Sequence, residues 1–303
     1  MQKAIKYHLQ KEIKEQTKLT GGYTFQTWLL TLSDNQKVVF RAQRDFETGG
    51  GRKIVISDVL EREKYFYDNV NAQIGHICPK VYVVDGTHEH HDMSYCIMEY
   101  IEGTPLSDCF KDLDQQLQNS IHYKIGEIAA QINKLVIDKS HPYITERGSW
   151  EEYIASRLNE RLSPLIGNEI ISQDEINAIT NLMRRQKVKH TSSFLHLDMR
   201  HVNMIYNNGE LFILDAENCE FGDPLFELAV IDVAGELAPP LIEGYKSVFG
   251  SDVELDSGLY YLYKMERLAL VLHLFMNIIK TDKESTQHYL DSFNKLKKMT
   301  NQQ

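Results

Sequence analysis

The chain has 303 residues, of which 42% are hydrophobic and 25% are charged, a composition typical of an ordinary globular protein. It carries 33 Lys and Arg residues against 43 Asp and Glu residues, which gives a net charge of −10. This balance argues against non-specific nucleic-acid binding, which needs a basic surface, and it favours a small cationic ligand. The length allows one large domain or two modest ones.

No segment of the sequence predicts export or a membrane anchor. The first fifteen residues mix charged and apolar side chains and lack the continuous apolar core of a signal peptide. The longest apolar stretch, 268–279, is too short to cross a bilayer as a helix. The four cysteines form no C-x-x-C pair, so we expect reduced, buried thiols and a cytoplasmic protein.

Residues 22–100 carry mainly strand patterns. Strands are predicted at 23–32, 38–40, 81–84 and 95–98, and a helix at 57–70 with Ser57 as its N-cap. The turn residues Ser33-Asp34-Asn35 predict a hairpin between the first two strands. We expect His88, His90 and His91, in the polar loop between the last two strands, to face solvent rather than bind a metal.

Beyond Gly103 the pattern becomes mostly helical. Apolar residues recur at offsets of three and four from Leu117 to Leu135, which predicts an amphipathic helix. Further helices are predicted at 150–162, 173–185 and 259–278, and a hairpin at 202–206 and 211–214 around Asn207-Asn208-Gly209. The sequence therefore predicts an α+β fold with a β-rich domain at 1–100 and a helical domain at 101–303.

Oxygen-bearing side chains gather at one end of this second hairpin. Asn203 enters its first strand and Asp215 leaves its second, so antiparallel pairing brings them together, and Asp198 lies in the loop before. Such oxygens suit Mg²⁺, which keeps its other positions for water and phosphate. In phosphoryl transfer, Asn203 and Asp215 would hold the metal and Asp198 would orient the attacking hydroxyl. Glu217 would reach the same metal or a water on it.

The stretch 194–229 is similar to the catalytic core of the aminoglycoside phosphotransferase and choline kinase-like family, which is related to protein kinases. The family pattern runs from H-x-D-x-x-x-x-N through a strand and an acidic pair to G-D-P and an acidic residue before Leu-Ala. It is matched in order by His196, Asp198, Asn203, Asp215, Glu217, Gly222-Asp223-Pro224 and Glu227-Leu228-Ala229. The resemblance implies a bilobal protein kinase-like fold, ATP or GTP as phosphate donor, Mg²⁺ as cofactor and a hydroxyl acceptor on a small molecule.

The resemblance also implies nucleotide-binding residues in the first half of the chain. Arg41 falls where the family places a basic residue against the α- and β-phosphates, and Glu63 falls where a carboxylate braces that cation. The segment around Glu99 and Ile101 is similar to the family's hinge, whose backbone groups face the adenine edge. The candidate nucleotide-binding residues are Gly22, Tyr23, Thr24, Arg41, Glu63, Met98, Glu99 and Ile101.

Several positions depart from the commonest family pattern. Arg200 adds a cation two residues after Asp198, either to stabilise the transferred charge or to reach a helix C-terminus or solvent. Arg41 replaces the Lys of many members, and Glu227 replaces an Asp that braces the catalytic loop. His196 is interpreted as a second brace, which leaves Asp198 and Arg200 as the candidate catalytic residues.

The identity of the acceptor stays open at this point. An aminoglycoside-like antibiotic is the first interpretation; choline, ethanolamine, an amino alcohol, a sugar or a macrolide are alternatives. A nucleotide-binding pseudokinase and a protein kinase are further alternatives, although the short segment after Asp215 leaves little room for an activation loop. The expected partners are a nucleoside triphosphate and a small hydroxylated acceptor, without nucleic acid or membrane, in a monomer or homodimer.

Overall fold

The computed structural model describes residues 1–19, 25–43, 56–138, 148–251, 253–279 and 283–300. These residues form two compact units. The first unit takes the described residues of Met1–Asp112 and His201–Cys219, and the second takes those of Leu113–Lys139, Thr145–Arg200 and Glu220–Gln303. The predicted domain boundary at residue 100 stays a prediction. The two compact units have different limits, because the segment His201–Cys219, which contains a hairpin, is grouped with the first unit.

The secondary structure mixes strands and helices along the chain. The strands are β1 (Ile13–Leu19), β2 (Phe25–Leu32), β3 (Lys37–Gln43), β4 (Val81–Asp85), β5 (Tyr95–Glu99), β6 (Thr104–Pro105), β7 (Ser193–Leu195), β8 (Met204–Asn207), β9 (Glu210–Ile213) and β10 (Glu220–Gly222). The helices are α1 (Gln2–Leu9), α2 (Ile56–Gln73), α3 (Leu106–Cys109), α4 (Gln115–Asn133), α5 (Trp150–Leu162), α6 (Gln173–Arg184), α7 (Pro224–Val233), α8 (Pro239–Phe249), α9 (Gly258–His273) and α10 (Lys283–Thr300).

The first unit contains an antiparallel five-stranded sheet in the order β1-β2-β3-β5-β4. Val38, Phe40 and Ala42 of β3 are buried with Ala4 and Ile5 of α1 in one apolar cluster. Because side chains alternate along a strand, Arg41 points to the opposite face, where its side chain meets α2. The sheet thus carries its core on one face and a charged group on the other.

A second, three-stranded sheet of the first unit has the order β6-β8-β9. The β8–β9 hairpin turns at Asn208 and Gly209, whose φ angles are 49° and 94°. A two-residue hairpin with both central residues at positive φ is the type that Asn-Gly sequences favour. The hairpin predicted from this motif is confirmed.

The second unit is mainly helical and includes the two-stranded β7–β10 ribbon. Helices α4 and α6 begin at side-chain caps: Asp114 accepts from the Leu117 amide at 2.8 Å, and Ser172 and Glu175 form a reciprocal capping box. Helices α4 and α8 pack closely at Gly126 and Gly244, where a Cβ atom would lie 2.0 Å from a backbone oxygen of the other helix. Glycine therefore permits this crossing.

The structure confirms the predicted β-rich first part and helical second part. The sequence patterns missed α1, β1, α7, α8 and α10. Helix α7 is apolar nearly all round and therefore lacks the amphipathic period that predicts a helix. Ser57 was wrong as an N-cap, because α2 already includes Ile56. The predicted helix at 259–278 ends at His273 and continues as π-helix over Leu274–Ile279.

Two predictions about cysteine and histidine environments have different outcomes. None of the four cysteines, which all lie among the described residues, forms a disulfide; Cys78, Cys96 and Cys219 are buried, as expected, and Cys109 is partly buried. Exposure was predicted correctly for His88, but it was wrong for His91, which is only partly exposed, and for His90, whose side chain is only 14% exposed. The reason is that the loop folds back on α1, so that the His90 ring stacks on Tyr7.

Among the described helices, none is long and apolar enough to span a membrane.

Candidate active site

Arg41 lies at the centre of a charged cluster in the first unit. Its Nη1 donates to both carboxylate oxygens of Glu63 at 2.8 Å, and its Nη2 donates to Asp215 Oδ1 at 3.2 Å. Burial opposes its charge, but the carboxylates of Glu63 and Asp215 outweigh this and raise the pKa of Arg41 well above its ordinary value. The predicted Arg41–Glu63 pair is confirmed as a contact, while its role toward phosphate stays a prediction.

Tyr67 connects this cluster to the hairpin and was not predicted from the sequence. Its hydroxyl donates to Glu63 Oε1 at 2.6 Å and accepts the backbone amide of Asp215 at 2.7 Å. Tyr67 follows Glu63 by four residues on α2, so the two side chains share one helix face. That spacing was the available signal. The tyrosine fixes the backbone of Asp215, whose φ is 63°.

Asn203 and Asp215 lie at the same end of the β8–β9 hairpin. Met204 pairs with Ile213, and the amide of Leu214 donates to the carbonyl of Asn203 at 2.8 Å. Asn203 lies in a 3-10 turn before β8, not inside the strand as expected. Asn203 is buried, whereas the Asp215 side chain is 37% exposed. The hairpin thus brings the two predicted metal ligands to one end, through the local pairing that the sequence indicated.

Glu217 lies in a turn two residues beyond Asp215. Its backbone carbonyl accepts a hydrogen bond from Arg62, and the thiol of Cys219 donates to the carbonyl of Arg62 at 3.6 Å. These contacts attach the turn to α2. The role of the Glu217 carboxylate as a metal ligand stays a prediction.

The predicted hinge residues lie at the end of β5, which contains Met98 and Glu99, and just beyond it. Met98 is buried and pairs with Val39 of β3. The amide of Glu99 donates to the carbonyl of Lys80 at 2.8 Å, and its carboxylate lies 2.7 Å from His76 Nε2. The Glu99 amide is therefore already engaged within the sheet. Ile101 lies two residues past the strand, and its contact with adenine stays a prediction; Gly22, Tyr23 and Thr24 lie outside the described residues.

Asp198 belongs to the second unit, where two arginines contact its carboxylate. Arg200 Nε and Nη2 donate to its two oxygens at 2.8 Å, and Arg267 of α9 donates to Oδ1 at 2.5 Å. Burial opposes ionisation, but Arg267 and Arg200 outweigh it and lower the pKa of Asp198 to about 2. Arg200 thus forms a bidentate pair with Asp198, and its expected role toward the transferred charge stays a prediction. The carboxylate is ionised at neutral pH.

The loop before Asp198 is held by the predicted braces. The fully buried Glu227 of α7 accepts the amide of His196 at 2.6 Å and the amide of Leu197 at 3.0 Å. His196 Nδ1 in turn accepts the amide of Asp198 at 3.1 Å. Burial raises the pKa of Glu227 to about 7, although these amides stabilise its carboxylate. Both residues therefore position Asp198 through the backbone, as predicted.

Arg267 is the main site residue that the sequence patterns missed. It lies among the apolar residues of α9, and its side chain is 13% exposed. A single arginine in a largely buried helix needs an acidic partner, and that was the available signal. Its partner could not be identified because 69 residues separate Arg267 from Asp198.

Comparison with solved structures defines the class of fold. The chain is similar to a thermostable mutant of aminoglycoside phosphotransferase APH(4)-Ia, with a TM-score of 0.70, 14% identity and 99% of each chain covered. It is also similar to the ADP-bound aminoglycoside phosphotransferase APH(2'')-Ib, with a TM-score of 0.63, 15% identity and 97% and 96% covered. A protein assigned as a fructosamine-3-kinase from Thermobifida fusca YX-ER1 has a TM-score of 0.69 at 12% identity, with 100% and 99% covered. The fold is that of the protein kinase-like phosphotransferases.

The sequence itself matches the family model of the phosphotransferase enzyme family over residues 15–252. The chain belongs to this family and is a phosphotransferase of the small-molecule kinase type. No curated protein matches its sequence. The resemblance read from the motifs is therefore confirmed, together with the fold class.

Proposed function

We propose that this protein transfers the γ-phosphate of ATP or GTP to a hydroxyl group of a small molecule, with Mg²⁺ as cofactor. The observation that carries the proposal is the buried, ionised Asp198, held by Glu227 and His196 at the position where the family motif has its catalytic carboxylate. The ADP bound to APH(2'')-Ib supports a nucleotide as the donor. A mutant of APH(4)-Ia solved with AMP-PNP and hygromycin B supports the same donor class.

The oxygen donors of the hairpin suit Mg²⁺ by their chemistry. Asn203 offers an amide oxygen, and Asp215 and Glu217 offer carboxylates, which are ligands of the hard type that Mg²⁺ prefers. When bound, Mg²⁺ would neutralise charge on the nucleotide phosphates. Arg41 would add a cation to the α- and β-phosphates, held in place by Glu63.

Asp198 would act mainly by orienting the acceptor hydroxyl. A carboxylate with a pKa of about 2 is a weak base, so it does not remove the proton of the acceptor hydroxyl before phosphoryl transfer begins. This agrees with a loose phosphoryl transition state, in which the acceptor loses its proton late. The arginines hold the carboxylate ionised and fixed for that task.

The first candidate acceptor is an aminoglycoside-like compound. The support is the net charge of −10, which attracts a polyamine, and the similarity to APH(4)-Ia, solved with hygromycin B. Growth of a susceptible bacterium on such an antibiotic after introduction of this chain would support an antibiotic-resistance role, and unchanged susceptibility would count against it.

The second candidate is an acceptor alcohol that carries its own anionic group. Arg200 and Arg267 both contact the Asp198 carboxylate, so two cations lie next to the proposed hydroxyl position. A phosphate or carboxylate on the acceptor would find complementary charge there, whereas an ammonium group would be repelled. This observation favours sugar phosphates and hydroxy acids over amines.

An acceptor panel tests the proposal and separates these candidates. Purified protein with Mg-ATP or Mg-GTP is mixed with aminoglycosides, amino alcohols, neutral sugars, and sugar phosphates or hydroxy acids, and nucleotide diphosphate release is measured. Turnover confined to cationic acceptors would reject the second candidate, and turnover confined to anionic ones would reject the first. Nucleotide binding without turnover on any acceptor would favour a pseudokinase.

Two substitutions test the residue roles with the best acceptor of that panel. We expect Asp198→Ala to lower kcat by about 10²–10⁴-fold with unchanged nucleotide affinity, and Asp215→Ala to weaken Mg-nucleotide binding. The matched control is Asp112→Ala, because Asp112 is exposed. Full activity of Asp198→Ala would overturn the role of this carboxylate, and normal Mg-nucleotide binding by Asp215→Ala would overturn the metal assignment.

A further inference from the structure

Two histidines and one aspartate meet in the first unit, on the face of the sheet that α1 covers. His8 belongs to α1, Asp85 ends β4, and His90 lies in the β4–β5 loop. Asp85 Oδ2 lies 3.2 Å from His8 Nε2 and 3.7 Å from His90 Nδ1, and the three ligand atoms all lie within 4.8 Å of one another. None of them belongs to the proposed phosphotransfer chemistry.

The carboxylate of Asp85 is held in one orientation. Its Oδ1 accepts the amide of Thr87 at 2.8 Å and the hydroxyl of Thr87 at 2.7 Å, which directs Oδ2 toward the histidines. Oδ2 also accepts the hydroxyl of Tyr95 at 2.7 Å. Burial opposes ionisation, but the hydrogen bonds from Thr87 and Tyr95 outweigh it and lower the pKa of Asp85 well below its usual range. The cluster therefore presents an oriented anion.

His90 presents a buried nitrogen that lacks a hydrogen bond. Among the described residues, Nδ1 of His90 has no hydrogen-bond partner although that atom is shielded from solvent. Its ring is fixed by stacking on Tyr7, with ring centroids 3.8 Å apart and planes 24° apart. A buried polar atom without a partner is costly, so the arrangement is consistent with a ligand that takes its lone pair.

We propose that His8 Nε2, Asp85 Oδ2 and His90 Nδ1 bind a divalent transition-metal ion, with Zn²⁺ as the best fit. Tetrahedral Zn²⁺ with bonds near 2.1 Å places neighbouring ligand atoms about 3.4 Å apart. The distances of 3.2 Å and 3.7 Å lie on either side of that value. The two histidine nitrogens, which lie within 4.8 Å of each other, would have to approach further, and the fourth position would be taken by water.

The ligand types select among metals. Two imidazoles with one carboxylate suit Zn²⁺, Co²⁺ or Ni²⁺, whereas Mg²⁺ and Ca²⁺ prefer oxygen-only sites. The Tyr95 hydroxyl on Asp85 Oδ2 provides the outer hydrogen bond that commonly orients a metal-binding carboxylate.

The ion would attach α1 to the β4–β5 loop. The Lys3 ammonium already donates to the carbonyl of Glu89 at 2.6 Å, so the helix and loop are in contact at this point. An ion that binds the folded protein and not the unfolded chain stabilises the fold by mass action. We therefore assign the site a structural role.

Binding is tested on tag-free protein that has been treated with a chelator and dialysed. Titration with Co²⁺ should give a saturable visible absorption band of a tetrahedral site at one ion per chain, displaced by Zn²⁺. Zn²⁺ should also raise the Tm in excess Mg²⁺. His8→Gln and His90→Gln should lose the band and weaken Zn²⁺ binding at least about tenfold, because loss of a direct ligand exceeds loss of its support.

Matched controls separate this site from other metal-binding groups. His88→Gln changes an exposed histidine of the same loop and should keep wild-type Co²⁺ binding. Asp215→Ala should also keep it, which distinguishes this site from the proposed Mg²⁺ site. If a histidine variant fails to fold, the wild-type protein is used instead. The measurement is then whether Zn²⁺ protects His8 and His90 from chemical modification. Absence of a stoichiometric band, or wild-type affinity in folded His90→Gln, would overturn the proposal.

Discussion

Arg41 illustrates how single buried charges are compensated in this protein. Its side chain is 13% exposed and its partner Glu63 is 1% exposed, so neither group is well solvated. An ion pair of this kind adds little net stability relative to apolar residues, but removal of one partner leaves the other charge buried. The exposed pair of Arg184 and Glu152 differs, because water solvates both groups there.

Arg41→Ala is therefore expected to lower the free energy of unfolding by about 3–5 kcal/mol, because the Glu63 carboxylate stays buried without its cation. Arg184→Ala is the matched control, with an expected loss below about 1 kcal/mol. Urea denaturation of both variants measures the difference. Equal losses would show that Glu63 is solvated or neutral in the folded protein.

Asp223 makes stability depend on pH. Its carboxylate caps α7 by accepting the Leu225 amide at 3.0 Å, and it accepts the Tyr263 hydroxyl at 3.0 Å. Burial nevertheless raises the pKa of Asp223 to about 6 from 3.8. Because the folded state favours the protonated form, this contribution to stability is fully present below pH 3.8 and is lost as the pH rises through about 6.

Asp223→Asn tests this dependence, since Asn is also a good N-cap but does not titrate. Between pH 4 and 7, the unfolding free energy of the wild type should fall relative to that of the variant by up to about 3 kcal/mol. Urea denaturation across this range gives the difference directly. A constant difference would mean that Asp223 has an ordinary pKa in the folded protein.

At the scale of secondary-structure elements, close packing depends on residues with no side chain. Gly126 on α4 faces the carbonyl oxygen of Leu241, and Gly244 on α8 faces that of Tyr123. The two helices share a crossing in which each backbone occupies the space of a missing Cβ atom. The helix crossing, and not backbone conformation, requires glycine here.

Gly126→Ala should destabilise the protein by about 3 kcal/mol, because its Cβ would lie 2.0 Å from the Leu241 oxygen and α8 would have to move. Gly167→Ala is the control: a Cβ there meets nothing within 4 Å, and we expect a change within about 0.5 kcal/mol. Thermal or urea denaturation compares the two. A similar effect of both substitutions would contradict the close helix contact.

At the scale of the whole molecule, the family motif has residues in both compact units. Arg41, Asn203 and Asp215 belong to the first unit, whereas Asp198 and Arg267 belong to the second. Along the chain, the motif passes from the second unit to the first between Asp198 and Asn203. The family motif is thus continuous in sequence, while its residues are assigned to two different units.

Mg-nucleotide is therefore expected to stabilise the protein as a ligand of the folded state. At a concentration of 100 times Kd, the gain is about 2.7 kcal/mol, which corresponds to a rise in Tm of a few degrees for a chain of this size. Scanning fluorimetry with Mg-ATP and Mg-GTP measures it. The rise should shrink with EDTA and in Asp215→Ala; a rise independent of both would contradict the metal assignment.

Features that depend on residues close together in the chain could be predicted before the structure was known. Asn208-Gly209 specifies a tight hairpin because both residues adopt positive φ readily, and the hairpin places Asn203 and Asp215 at one end. The ordered motif from His196 to Glu227 identified the family, since spacing along the chain survives where overall identity is low. Helices with clear amphipathic periods were predicted for the same local reason.

Contacts between charged groups far apart in the chain could be identified only from the folded structure. The contact of Arg267 with Asp198, 69 residues apart, depends on how α9 packs. This contact is one of the two on which the proposal of an anionic acceptor rests. The contact of His8 with Asp85, 77 residues apart, depends on α1 covering the sheet. Ion pairs and metal ligands act over a few ångströms, and no local pattern encodes which helix will supply the partner.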